Sequence, residues 1–177
     1  HQSRKEMLKE NFERMRQANT DPLTKLPNRR FLEAVFFEKA MQDPAAYFPL
    51  SAVVVDIDHF KKINDSYGHD VGDQVLIHVT SLMKEAVRSS DVVARTGGEE
   101  FLVLFPHATL TQAVKLAEKM RRLIEERPFV AGDINHPITA SFGVATALTD
   151  TNLHASLKQA DDNLYKAKNA GRNRVME

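Results

Sequence analysis

No cysteine occurs among the 177 residues, which excludes disulfides and thiolate metal centres. No sign of charge dominates either: 24 Lys and Arg stand against 24 Asp and Glu, a formal net charge of zero at pH 7. That balance denies the chain a broad electrostatic grip on a nucleic-acid polymer or an anionic membrane, while leaving room for a local basic pocket. No apolar run approaches the roughly 20 residues of a membrane span, and the opening residues do not read as a signal peptide. The first residue is His1 rather than Met, so a piece of a longer protein is expected, its missing N-terminal part carrying a sensor that could itself be membrane-attached. Apolar residues make up 42% of the chain, enough for a real core. The expectation is one soluble, cytoplasmic domain with an appendage.

Residues 3–18, "SRKEMLKENFERMRQA", form helix readily, but their only large apolar residues are Met7, Leu8, Phe12 and Met15. Such a helix cannot bury much alone, and it reads as a connecting helix or the end of a coiled coil. Pro22 and Pro27 break the pattern. Asn28 is placed to cap a helix over 29–42, whose Phe31, Leu32, Val35 and Phe36 share a face. "LSAVVVDID" (50–58) is a buried strand ending in carboxylates. A helix follows over 70–87, then two strands, "DVVAR" and "FLVLF", around a turn. The next helix, over 109–127, turns Ala113, Leu116, Met120 and Leu123 inward and stops at Pro128. A strand over 138–146 and a helix over 153–169, stopped by Gly171, complete the pattern. The order is strand, helix, two-stranded hairpin, helix, strand. That is an α+β fold, the ferredoxin-like split βαβ palm, with a central antiparallel sheet flanked by helices. We read residues 1–20 as the connecting helix and 21–177 as the domain.

This topology makes the first and third strands antiparallel central neighbours. Asp56, near the end of the first, should then meet Glu99 and Glu100, which open the third. Asp56, Asp58, Glu99 and Glu100 together would repel one another unless a hard divalent cation sits among them. Asp58 taken alone reads as a solvated turn residue. Gly97 and Gly98, just before the glutamates, would allow a positive φ and the close approach of a phosphate.

The segments that carry these features also resemble one family, the GGDEF domains or diguanylate cyclases. "RTGGEEF" (95–101) is similar to the family signature in its Glu-containing form. "DPLTKLPNRR" (21–30), "DIDHFKKINDSYGHDVGDQVL" (56–76), "ASFGVA" (140–145) and "ADDNLYKAKNAGRNRV" (160–175) resemble its other blocks, in order and spacing. The resemblance implies synthesis of cyclic di-GMP from two GTP with Mg²⁺ or Mn²⁺, each subunit of a facing homodimer holding one GTP. It implies metal contacts from Asp56, the Ile57 carbonyl and Glu99, with Glu100 beside them and the identity of the base left open. Asn64 and Asp73 align with the guanine readers. A carboxylate can accept from both N1–H and the 2-amino group of guanine, a donor pair that adenine lacks. Lys61, Lys168 and Arg172 align with triphosphate contacts, and the backbone N–H groups of His59 and Phe60 suit the β- and γ-phosphates. For "KNAGRNR" at a helix end, cationic C-capping is the plainer reading. His69 reads as structural.

Arg88 and Asp91, in "RSSD", match the spacing of the family's product-inhibition site. An Arg–Asp surface pair is the plainer alternative. Lys119 stands where a second Arg often assists, and it lacks the planar fork. Arg121 or Arg122 could substitute. Two other readings stay open: a GGDEF module that only binds GTP or cyclic di-GMP, and an unrelated palm-type nucleotidyl cyclase or polymerase. The absence of a Walker A sequence argues against an NTPase of that type.

Overall fold

The computed structural model describes residues 3–177. Ser3 and Glu6 form a reciprocal capping box, each side chain accepting from the other's backbone N–H, and this starts helix α1 (Arg4–Asn19). No residue of α1 is buried, and Met7, Leu8, Phe12 and Met15 all stand exposed. Asn28 then caps the next helical stretch, its Oδ1 accepting from Phe31 N at 3.0 Å. That stretch runs as α2 (Arg29–Phe31), a π-helical turn (Leu32–Phe36) and α3 (Phe37–Gln42).

Strand β1 (Leu50–Ile57) is buried along its whole length. It reads as a continuous apolar run because both of its faces are covered. Val53, Val55 and Ile57 face the main core, with Phe101, Val103, Phe105 and Phe142. Ala52 meets Leu32, Phe36 and Ala40 of the 29–42 helix on the other face, and Val54 meets Ala160 and Leu164 there. Phe101, Phe105 and Phe142 are fully buried, each worth about 2–3 kcal/mol of apolar burial.

Helix α4 (Phe60–Tyr67) and helix α5 (His69–Ala86) follow. Gly68, at φ 88°, separates them in a conformation that a side chain would strain. Strands β2 (Val92–Gly97) and β3 (Glu100–Pro106) form the hairpin, and α6 (Leu110–Glu126) returns across the sheet. The apolar face of α6 is rotated from the expected one. Ala113 and Met120 are buried as read, but their buried companions are Ala117 and Ile124, with Leu116 and Leu123 half-covered at the flank. A small hairpin of β4 (Phe129–Ala131) and β5 (Ile134–His136) precedes β6 (Ala140–Ala147), α7 (Leu153–Asn169) and β7 (Val175–Met176).

The sheet order is β2-β3-β1-β6-β7, and β2, β3, β1 and β6 are antiparallel neighbours in the ferredoxin-like arrangement. β7 adds in parallel to the outer side of β6. Helix α7 lies so close on β6 that a Cβ at Gly143 would overlap the backbone of Ala160 and Leu164. Two side chains of α7 also reach β6: Asn163 donates to the Val144 carbonyl (2.9 Å) and Ser156 to the Thr146 carbonyl (3.1 Å). No helix among the described residues is long and apolar enough to cross a membrane.

Candidate active site

The strand register brings the carboxylates together. Asp56 pairs directly with Glu100, and Ile57 N donates to the Glu99 carbonyl at 3.2 Å. The meeting is therefore as the topology implied, with Glu100 as the cross-strand partner and Glu99 at the hairpin tip beside Gly98. Directly opposed residues share a sheet face, so the Asp56 and Glu100 side chains emerge together on the face covered by α7. A notch of about 230 Å³ is lined by Arg29, Asp56, Thr96, Gly97, Gly98, Glu99 and Glu100.

Electrostatics there are tense. Burial pushes the Asp56 carboxyl up; Lys168 pulls it down, Glu99 and Asp58 push it further, and the net shift is upward. Burial, followed by the charges of Asp161 and Asp56, raises Glu100 against the opposing pull of Lys168 and Arg29. The Lys168 ammonium hydrogen-bonds the Asp56 carboxylate and stands in for a cation at that oxygen. Among the described residues no three His, Cys, Asp or Glu side chains gather tightly enough to cage a metal ion. Two carboxylates and a carbonyl suit a hard cation that completes its shell with substrate phosphate and water, as Mg²⁺ does.

Two expectations are corrected. Asp58 is neither a solvated turn residue nor a member of the notch. It is buried and accepts from Thr139 Oγ1 (2.7 Å), Ser141 Oγ (2.7 Å) and Asn173 N (3.0 Å). Its work is to pin the turn after α7 to the sheet. Gly97 and Gly98 do not adopt a positive φ. A bulge between Arg95 and Gly97 shapes the hairpin instead. A Cβ on either glycine would meet no protein atom within 4 Å, so the space they leave is open to a ligand.

Asn64 lies on α4 against Gly72 of α5, where a Cβ would overlap its Oδ1. That Oδ1 is buried and has no hydrogen-bond partner. A buried acceptor without a donor is costly, and a ligand N–H would satisfy it. Asp73 stands exposed one turn into α5. His59 is left-handed (φ 56°) and Phe60 opens α4, an alternation of backbone handedness of the kind that forms anion-binding nests. Lys61 and Arg172 are exposed, and neither makes an ion pair among the described residues.

The reading of the sequence missed how the hairpin is braced. Arg95 donates through Nε to the Gly98 carbonyl (2.9 Å) and through Nη1 to the Asp21 carboxylate (3.2 Å). Asp21 also accepts from the N–H and hydroxyl of Thr24 (2.8 and 2.7 Å). Burial pushes its carboxyl up, but the donors from Thr24 and Arg95 outweigh that and hold it low. An Asp three residues before a Thr, in "DPLT", is the local signal for such a turn. Its reach to Arg95 is tertiary and left no mark in the sequence. Arg29 and Asp161 were missed in the same way.

A family model described as "Diguanylate cyclase, GGDEF domain" matches residues 18–174. The chain belongs to the GGDEF family. Among its relatives, the response regulator PleD of Caulobacter vibrioides is 41% identical over 162 residues, covering 90% of this chain and 36% of PleD. The diguanylate cyclase DosC of Escherichia coli K12 is 36% identical over 173 residues, 96% of this chain and 37% of DosC. The chain thus spans little more than a third of either protein. The solved coiled coil and GGDEF domain of DgcB from Caulobacter crescentus, in complex with c-di-GMP, superposes with a TM-score of 0.84 at 32% identity, covering 97% of this chain and 92% of that one.

In this GGDEF domain the Arg88–Asp91 pair is closed on itself. Asp91 accepts from Arg88 N (2.7 Å), Nε (3.1 Å) and Nη2 (2.8 Å), and Arg88 Nη2 also reaches the Pro106 carbonyl (3.0 Å). The Asp91 side chain is 0% exposed and that of Arg88 42%. Of the two side chains, only that of Arg88 is presented outward. Arg121 is engaged with Glu118 (2.6 Å) and Asn173 (3.1 Å), and Lys119 and Arg122 line a separate cavity along α6.

Proposed function

We propose that this chain is a diguanylate cyclase that condenses two GTP into cyclic di-GMP and two pyrophosphates. The observation that carries the reading is the Asp56–Glu100 register pair, with a lysine on Asp56 and a ligand-sized gap over Gly97 and Gly98. Residues 21–177 make up the catalytic domain, and α1 is the helix that delivers it, the first two residues of the expected 1–20 segment lying outside the described ones.

Asn64 Oδ1 and the Asp73 carboxylate select guanine by accepting from its edge. ATP would leave both acceptors unpaired, a penalty that rejects it. The His59 and Phe60 N–H groups, Lys61, Lys168 and Arg172 hold the β- and γ-phosphates and neutralise the departing pyrophosphate. The α-phosphate is then laid over Gly97 and Gly98. A divalent cation, Mg²⁺ or Mn²⁺, held by Asp56, Glu99 and the Ile57 carbonyl, would offset phosphate charge and ease deprotonation of the 3′-hydroxyl. Glu99 or Glu100 takes that proton. The 3′-oxygen of one nucleotide bonds to the α-phosphorus of the other, the bond to the bridging oxygen breaks, and pyrophosphate leaves. Repetition with the roles exchanged closes the ring.

Each nucleotide is attacked by the one opposite, so two copies must face each other. The exposed stripe of Leu8, Phe12 and Met15 on α1 follows the spacing of a coiled-coil seam and suits that pairing. Arg88, freed from Asp91, would receive the product guanine and slow the enzyme. The test is incubation with GTP and Mg²⁺ followed by nucleotide separation. Cyclic di-GMP is expected, at a rate rising faster than linearly with protein concentration. GTP that binds but yields no product at high protein concentration identifies a binding module instead.

A further inference from the structure

We propose that Arg29 is a further catalytic residue of this site, its guanidinium contacting the α-phosphoryl group as charge builds on it. The proposal rests on the cyclase reading above. Arg29 lies where three cavities meet around the signature hairpin. It lines the carboxylate notch, an outer cavity of about 400 Å³ with Asp21, Arg95 and Gly98, and a cavity of about 470 Å³ with Glu100, Leu102 and Asp161. Among the described residues it shares that position only with Thr96, which carries no charge.

Its backbone is held and its side chain is free. Asn28, the preceding residue, ties the chain to the end of α1, its N–H donating to the Asn19 carbonyl (3.1 Å) and its Nδ2 to the Ala18 carbonyl (2.9 Å). It also bridges to Arg95 of β2. Arg95 N donates to the Pro27 carbonyl at 2.9 Å. The Cα of Arg29 is thereby fixed to the strand that carries the hairpin. The side chain, by contrast, is exposed and makes no hydrogen bond or ion pair among the described residues.

Two other cations near the hairpin are engaged, Lys168 with Asp56 and Arg95 with Asp21. Arg29 is therefore a permanent charge at the edge of a carboxylate cluster, unpaired in the unliganded protein. A planar guanidinium matches two phosphoryl oxygens at once. Because its backbone anchor is fixed, such a contact strengthens as charge develops at the cost of ordering the side chain alone. Arg30 supplies a natural control: it lines the outer cavity but not the notch.

The experiment compares the intact chain with Arg29→Ala, Arg29→Lys and Arg30→Ala. Cyclic di-GMP formation, binding of a fluorescent GTP analogue with Mg²⁺, and thermal unfolding are each measured. Arg29→Ala is expected to lower kcat about 100-fold, the usual loss for one preorganised donor to transition-state charge. GTP affinity should change less than about threefold, because the contact matures only in the transition state. Guanidinium ion added to Arg29→Ala should restore part of the rate, which no purely structural loss allows. Arg29→Lys should fall between, and Arg30→Ala should match the parent. An Arg29→Ala rate equal to the parent's overturns the assignment and leaves the cyclase reading standing. So does a loss that tracks lowered GTP affinity or melting temperature and resists guanidinium. A parent chain that forms no cyclic di-GMP overturns both.

Discussion

Asp56 and Asp58 sit two residues apart at the end of the same strand and have opposite fates. Asp58 is surrounded by neutral donors, two hydroxyls and a backbone N–H, each matched to a lone pair. Asp56 has one cation and looks out at Glu99 and Glu100. Burial is similar for the two, at 6% and 8% exposure. What separates a structural carboxylate from a reactive one here is therefore the completeness of its donors. The protein spends stability on the Asp56 side that a ligand is positioned to repay.

The contrast can be broken at either end. Asp56→Asn has the largest expected effect: turnover falls by about 10³-fold or more, while urea unfolding of the unliganded chain shows no loss of stability. Asp58→Ala should do the reverse. Stranding Thr139, Ser141 and Asn173 N is expected to cost about 2–4 kcal/mol, read from the urea midpoint at unchanged slope. A variant that keeps full stability means those donors find other partners.

Glu100→Gln sharpens the comparison through pH. A carboxyl whose folded pKa is raised adds stability below its unfolded pKa and loses it as pH rises through the folded value. Ionised Glu100 therefore weighs on the fold at neutral pH, and the glutamine variant should melt higher at pH 7. The advantage should vanish as pH falls below the ordinary carboxylate range. A difference independent of pH would assign it to packing. The smallest structural effect belongs to Gly98→Ala. With no protein atom near the new methyl, unfolding should shift by less than about 0.5 kcal/mol. GTP binding should still weaken, because the methyl takes up ligand space.

Much of this site could be read from the chain. Strand and helix order implied the antiparallel neighbourhood of β1 and β3, and that alone brought Asp56 to the hairpin. The one-residue register, which pairs Asp56 with Glu100 rather than Glu99, was not legible. Nor was the role of Asp58, because Thr139, Ser141 and Asn173 lie 81 or more residues away in sequence. Periodicity located α6 but chose its larger leucines as the buried set. The close approach of helix and sheet favours Ala117 instead. β7 and the β4–β5 hairpin are too short to leave a period. Arg29 carried no signal of its own, since its place among the three cavities is set by tertiary packing.

The seating of α7 on β6 also bears on which edge of the sheet is open to another chain. An exposed strand edge is an invitation to pair with another chain through its free carbonyls and N–H groups. Along the outer side of β6, β7 covers Phe142 and Gly143, and Asn163 and Ser156 already fill the carbonyls of Val144 and Thr146. The sheet is sealed against lateral growth on that side. Under the proposed reaction, two copies would meet instead through α1 and the open mouth of the notch.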